Sequence, residues 1–418
     1  MTGKYKEMSA ITIKNLGPVK DVTLNMNKIN VITGPQSSGK STVAKLISFC
    51  SWLDKKFARD GGIRQGFENG NDIKLLHYMD TLKNYYRLTN GYFSDDTELY
   101  FNGEKIEFSL NCDLCISHSE TVLTDGSFRL GIKETRQRYN SKVVYIPSER
   151  NFVSSIYNLH QYIGDHDFIQ DLIQNWYNAK RKYTSNQQLD VLNLGVRYYY
   201  GGDDIDRLQL ANGKELTLQA ASSGLQAVVP LITLFDYIAR GIYNESRPMS
   251  VTERDELVAK YNELLQKSAT PVMNTDDLST LFDIIVLKNY NYSQFIVEEP
   301  EQNLFPITQR DLVYYMIRMC NSPKYNHRLT MTTHSPYILY ALNNCMMGYL
   351  VKDAAPADEK ILSRESWIDP RLVSVWEIED GKIRSIQDED NIVSENYFDL
   401  NMTELTDEYY HMLNFYED

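Results

Sequence analysis

No stretch of this 418-residue chain is apolar for long enough to cross a bilayer. The longest mostly apolar run, Ala227 to Phe235, is closed by Asp236, whereas a spanning helix needs about 20 such residues. The first residues, Met1-Thr2-Gly3-Lys4-Tyr5-Lys6-Glu7, lack the apolar core of a secretory leader. The expectation is a cytoplasmic protein with no membrane contact. Positive charge is also short: 43 Lys and Arg stand against 56 Asp and Glu, a net charge of −13. That excludes a surface coated for nucleic acid and leaves room only for a local basic groove. Cysteine is scarce and odd in number, five in all, which fits a reducing compartment better than a disulfide scaffold. There is no internal repeat, and no heptad run is long enough for a coiled-coil arm.

What remains is ordinary for a globular protein. Apolar residues make up 42% and charged residues 24%, enough to fill a sizeable core. The length exceeds the usual single domain, so one large domain with insertions or two intimate lobes is expected.

Short alternating segments at Ile11-Thr12-Ile13 and Val22-Thr23-Leu24 read as strands, and Ile29-Asn30-Val31-Ile32-Thr33 leads into a glycine turn. A helix should start at Lys40 and run past Phe49 and Trp52, with another across residues 73–86. Asn102-Gly103 between two alternating segments predicts a hairpin, and residues 142–146 a strand. Residues 151–192 look helical, with Phe168, Leu172, Trp176 and Tyr177 at helix spacing. Gly201-Gly202 and Asn212-Gly213 then punctuate strands. A long helix over residues 222–241, two more within 252–288, a strand at 293–298, a helix at 307–320 and a strand at 328–332 follow. A last hairpin turns at Asp380-Gly381. The sum is an α/β fold with a mainly parallel sheet.

Gly34-Pro35-Gln36-Ser37-Ser38-Gly39-Lys40-Ser41 fits G-x-x-x-x-G-K-[ST] at every fixed position, with a strand before it and a helix after. Glycines let such a loop wrap an anion, and its N–H groups and the helix N-terminus favour negative charge. Residues 34–42, through Thr42, are therefore the expected ATP-binding loop. Lys40 should reach the β- and γ-phosphates, and Ser41 should ligate Mg²⁺. The apolar strand Phe295-Ile296-Val297 ends in Glu298-Glu299. Beside a phosphate loop, Glu298 would hold Mg²⁺, and Glu299 would act as general base on the attacking water.

Two further segments complete a set. Ala221-Ser222-Ser223-Gly224-Leu225-Gln226 resembles the Leu-Ser-Gly-Gly-Gln signature of ABC-type ATPases, with Leu225 where the second glycine is usual. Thr333-His334-Ser335-Pro336 resembles their histidine switch. The order of the four motifs is that of the superfamily. The resemblance implies an ABC-type P-loop ATPase head with a mixed sheet, an antiparallel β subdomain and a helical insertion lobe. It divides the chain into 1–150 (phosphate loop and β subdomain), 151–290 (helical lobe with the signature) and 291–418 (the rest of the core). It also implies that Ser223 and Gly224 contact the γ-phosphate bound by an opposite subunit, and that His334 senses that phosphate. ATP would thus be sandwiched in a homodimer or higher oligomer.

Within the superfamily, Glu298-Glu299-Pro300-Glu301-Gln302-Asn303-Leu304-Phe305-Pro306 resembles a stretch of RecF-like and OLD-like ATPases, related to SMC-type heads, with Phe305 where histidine is common. Ile13-Lys14-Asn15-Leu16-Gly17-Pro18, Tyr145-Ile146-Pro147-Ser148-Glu149-Arg150 and Val373-Ser374-Val375-Trp376 fit the same pattern. Such stand-alone ATPases occur in bacterial anti-phage systems, including Septu-type and retron-associated ones, beside a separate effector such as a nuclease. OLD-type nucleases carry a metal-binding nuclease domain after the histidine switch; only 84 residues follow His334 here, with no acidic pair expected to supply that centre, so a nuclease centre within the chain is not expected. The alternatives are a RecF-like DNA-repair ATPase that clamps duplex DNA, and a low-turnover ATP-bound scaffold.

Cys112-Asp113-Leu114-Cys115 with His118 has the spacing of half a zinc site but no second half, and reads as buried thiols. Lys133, Arg136, Arg138 and Lys142, with Tyr139, could touch a nucleic-acid backbone, as could Lys180-Arg181-Lys182. Tyr198-Tyr199-Tyr200, the densest cluster among 30 tyrosines, suits a partner surface or a half-buried strand.

Overall fold

The computed structural model describes residues 9–59, 81–111, 128–133, 140–156, 159–162, 167–243 and 290–416. Strand β3 (Ile29–Thr33) is buried along its whole length, because it is flanked on both edges by parallel neighbours. On one side lies β13 (Arg328–Thr332) and on the other β14 (Val373–Glu379). Such a strand is covered on both faces and reads as a continuous apolar run. Beyond β13 the parallel half continues through β12 (Tyr292–Glu298) to β7 (Ser141–Ile146).

The other half is largely antiparallel. β15 (Lys382–Ser385) pairs antiparallel with β14 and parallel with β2 (Val19–Asn25), which pairs antiparallel with β1 (Ala10–Leu16). β4 (Phe93–Asn102), β5 (Ile106–Asn111) and β6 (Phe128–Ile132) complete the edge. The eleven strands run β6-β5-β4-β1-β2-β15-β14-β3-β13-β12-β7. The sheet is thus evenly mixed rather than mainly parallel, because the first and last hairpins join the crossover strands edge to edge. The expected hairpin at Asn102-Gly103 forms, with Phe101 opposite Phe108.

Helix α1 (Lys40–Arg59) starts where the sequence placed it. The helix expected over residues 73–86 is described only at its end, where Thr81–Tyr85 forms a π-helical turn. Residues 151–192 are not one helical stretch. A single turn at Phe152–Ser155 and helix α2 (Phe168–Lys180) give way to β8 (Leu189–Asp190). Asp167 caps α2 by accepting from the N–H groups of Ile169 and Gln170. β8 joins β9 (Val196–Tyr200), β10 (Asp206–Leu210) and β11 (Glu215–Thr217) in a separate four-stranded antiparallel sheet.

Helix α3 (Ser223–Arg240) runs through the centre of this lobe. By length and composition it would suit a membrane, although no single apolar run is long; 72% of that stretch is buried inside the chain. Phe235 stacks on Phe295 of β12 at 4.0 Å, which ties the lobe to the sheet. Helices α4 (Pro306–Cys320) and α5 (Pro336–Leu350) follow β12 and β13, and α6 (Tyr397–Leu413) closes the described chain. The two helices expected within 252–288, and Cys112, Cys115 and His118, lie outside the described residues. Cys50, Cys320 and Cys345 are free and buried.

Two candidate surfaces turn inward. Lys180 is 2% exposed, with Nζ 3.2 Å from Asp204 and 3.5 Å from Asp206 and over the rings of Tyr177 and Tyr200. A cation so enclosed is not offered to nucleic acid. Tyr198 and Tyr199 are buried and donate to Asp206 and Glu215 at 2.7 Å each, so this cluster serves the lobe's interior. Lys133 donates to Asn102 and the Gly103 carbonyl, while Arg136, Arg138 and Tyr139 lie outside the described residues.

Candidate nucleotide site

The loop between β3 and α1 is shaped by its glycines. At Gly34, φ is +138° and a Cβ would lie 2.1 Å from the Ile378 carbonyl oxygen, so only glycine fits against β14. Gly39, at φ +106°, would collide with Val19. Ser37 adopts φ +62°, and Gln36 and Ser37 are exposed at the loop's crown. Lys40 lies at the base, 5% exposed. Its Nζ donates to the carbonyls of Gly34 at 2.9 Å and Pro35 at 2.6 Å, and to Ser38 Oγ at 3.3 Å. Burial lowers its pKa to about 8, against the opposing pull of Glu299 and Glu301. Ser41 is exposed and Thr42 buried at the first turn of α1.

The end of β12 faces this loop. Glu298 is 3% exposed; its Oε1 accepts from Tyr145 Oη at 2.7 Å, and the Ser41 hydroxyl lies near enough to favour the charged carboxylate. Burial raises its pKa, offset in part by Tyr145, Lys45 and Ser41. A buried carboxylate and a hydroxyl on adjoining elements form an oxygen donor pair suited to a hard cation, which takes its remaining ligands from phosphate and water. The residues present therefore fit Mg²⁺.

Glu299 turns out of the strand with φ +43°, a conformation costly for a residue with a Cβ. Its N–H donates to the Thr332 carbonyl at 3.0 Å, and its own carbonyl is held by Arg150. That arginine is wholly buried. It donates to the Glu298 carbonyl at 2.8 Å, the Glu299 carbonyl at 2.7 Å and the Pro147 carbonyl at 3.3 Å. Burial lowers its pKa to about 10, so it stays charged at neutral pH. The turn is thereby fixed, and Glu299 Oε1 lies 3.6 Å from His334 Nε2, each about one-third exposed. Burial, and then Lys40, depress the His334 pKa, while Glu299 opposes them; the imidazole is neutral at pH 7.

Glu301 secures the other side. Its Oε1 accepts from Thr333 Oγ1 at 2.9 Å and the His334 N–H at 2.6 Å, and Ser335 caps α5 by accepting from Tyr337 N–H. Lys40, Ser41, Glu298, Glu299 and His334, drawn from two strand ends and a helix start, are thus brought together. Ser223 and Gly224 make none of these contacts. Ser222 and Ser223 are exposed at the start of α3, Ser222 makes no side-chain cap, and Gly224 packs so closely on the Asn303 carbonyl that a Cβ would lie 2.8 Å from it. Leu225 packs against the core. Sequence reasoning gave no role to Arg150, Tyr145 or Glu301, although all three lie in the segments that carried the resemblance.

A family model described as an AAA domain matches residues 10–269. Among solved structures, an SMC head domain from Thermotoga maritima is similar at 10% identity, covering 92% of this chain and 99% of that one, with a TM-score of 0.38. An SMC head with an extended coiled coil, bound to the C-terminal domain of ScpA from Pyrococcus furiosus, shows 12% identity, coverage of 96% and 99%, and a TM-score of 0.36. A dimeric ATP-binding cassette in a post-hydrolysis state with ADP and Pi shows 12% identity, coverage of 90% and 97%, and a TM-score of 0.27. No curated protein matches the chain.

Proposed function

Because the chain belongs to the AAA-domain family, we propose that it binds Mg-ATP at residues 34–42 and hydrolyses it in a site completed by a second copy. The observation that carries this reading is the 3.6 Å approach of Glu299 to His334 beside a phosphate loop and the Ser41–Glu298 pair. Lys40 and the loop's N–H groups bind the β- and γ-phosphates. Mg²⁺, held by Ser41 and Glu298 together with phosphate oxygens, would neutralise charge on the transferring phosphoryl group. Glu299 orients the attacking water and takes its proton, and the neutral His334 holds that water and the γ-phosphate in line. Arg150 and Glu301 position this pair without touching substrate.

The exposed, uncapped start of α3 supports a role in trans, in which Ser223 and Gly224 of one copy close on the nucleotide of the other. On this reading the ATP-bound dimer is a switch, and hydrolysis reopens it. The resemblance to stand-alone ATPases of anti-phage systems supports a cytoplasmic regulator of a separate effector such as a nuclease. Steady-state turnover with the Glu299→Gln and Ser223→Arg variants tests it. Both should bind nucleotide and lose hydrolysis, and normal turnover in Glu299→Gln would remove Glu299 as the base.

A further inference from the structure

Among the described residues, the anchoring contacts of helix α6 lie at its beginning. Asn396 caps it, the Tyr397 N–H donates to buried Glu377 at 2.7 Å, and Asp399 accepts from Tyr340 of α5 at 2.7 Å. None of its residues is buried. Yet Phe398, Met402, Leu405, Tyr409 and Met412 recur at alternating intervals of four and three residues. That is the a/d spacing that lines one face of a helix for packing against another. Met402 is 65% exposed, Leu405 63% and Tyr409 56%. A row of such exposed apolar side chains along one helix face marks an interaction site rather than ordinary surface.

The charge around this face selects its occupant. From residue 385 to 418 the sequence holds ten Asp or Glu and no Lys or Arg. Glu408 flanks the seam, with Glu404 next to it on the same side. A second copy of α6 would bring these carboxylates together with no cation to offset them, whereas a basic flank would pair with them. The run is about two heptads, short for a free-standing coiled coil but sufficient for a helix-in-groove contact.

We propose that α6 is the docking helix for a different protein, whose binding surface is an apolar helix face or groove edged with Lys or Arg. The inference is independent of the ATPase reading, since no residue of α6 belongs to the nucleotide site.

The probe is a labelled three-heptad peptide with Leu at a and d and Lys at e and g, titrated with the full chain and followed by fluorescence anisotropy. A control peptide carries Glu at e and g. The Lys peptide should bind at least ~10-fold tighter than the control, and Leu405→Asp with Met412→Asp should abolish that binding without changing ATP turnover. Glu404→Lys with Glu408→Lys should reverse the preference. Equal affinity for the two peptides would overturn the proposal, as would binding that survives the Leu405→Asp/Met412→Asp change. So would self-association abolished by that same change, because the face would then belong to a second copy.

Discussion

Replacing Arg150 with methionine isolates the contribution of a residue that touches no phosphate. Methionine keeps most of the buried volume and removes the guanidinium. The carbonyls of Glu298 and Glu299, at 2.8 and 2.7 Å, then lose a charged donor in a place closed to water. Bonds to charged groups contribute about 1.5–3 kcal/mol each, so the two stronger ones together amount to about 3–6 kcal/mol of stability. The same bonds hold Glu299 at φ +43°. Released, the turn can relax toward ordinary backbone, and a displacement of about 1 Å at a reacting group can cost on the order of 100-fold in rate. Denaturant unfolding should report the stability loss, and steady-state phosphate release the loss of kcat. Fluorescent-nucleotide binding should change little, because the bonds to Lys40 are made by residues 34–38. Arg150→Lys, with one compact donor group, should fall between. Wild-type kcat in a destabilised but folded Arg150→Met protein would refute the claim that Arg150 positions the base.

Three other outcomes follow from the site. Nucleotide affinity should be flat through neutral pH and decline as pH rises past about 8, because burial brings Lys40 down to about 8 and only its charged form attracts phosphate; titrating Kd from pH 6.5 to 9.5 checks the sign, and an affinity that rises would contradict it. Glu298→Gln should keep the Tyr145 and Ser41 contacts in shape yet raise the Mg²⁺ needed for half-maximal turnover, roughly ten-fold or more if the carboxylate is a direct ligand. Glu301→Ala should lower kcat with little change in Kd for ATP, because it frees the Thr333 hydroxyl and the His334 N–H rather than any phosphate contact; an equal loss in both would place Glu301 at the substrate.

The phosphate loop, the acidic strand end and His334 were legible because each is a local pattern: a strand, a turn that requires glycine, and a polar residue where the strand stops. The structure brings them together as β3, β12 and β13, three neighbours in one sheet. Arg150 was not legible. It acts on backbone carbonyls 148 and 149 residues away, and no side-chain pattern marks an acceptor of that kind. Lys180 was misread for a related reason: a charge run is usually solvated, and only the fold reveals that Asp204 and Asp206 meet it. Residues 181–192 read as helical because α2 sets that period just before them, but the pairing of Leu189–Asp190 with β9 is a long-range choice. The mixed character of the sheet, which the resemblance implied, was not visible in the periodicity alone, since hairpins are local whereas their parallel neighbours are not. Helix α6 escaped notice because its apolar spacing covers too few turns to announce a coiled coil.

The trans site is the central claim, and light scattering of the Glu299→Gln protein with and without Mg-ATP tests it most directly. A mass that doubles on adding Mg-ATP, and fails to do so when Ser223→Arg is added, is the expected result. A mass that stays monomeric while nucleotide is bound would contradict the claim and leave Ser223 and Gly224 without a role in catalysis.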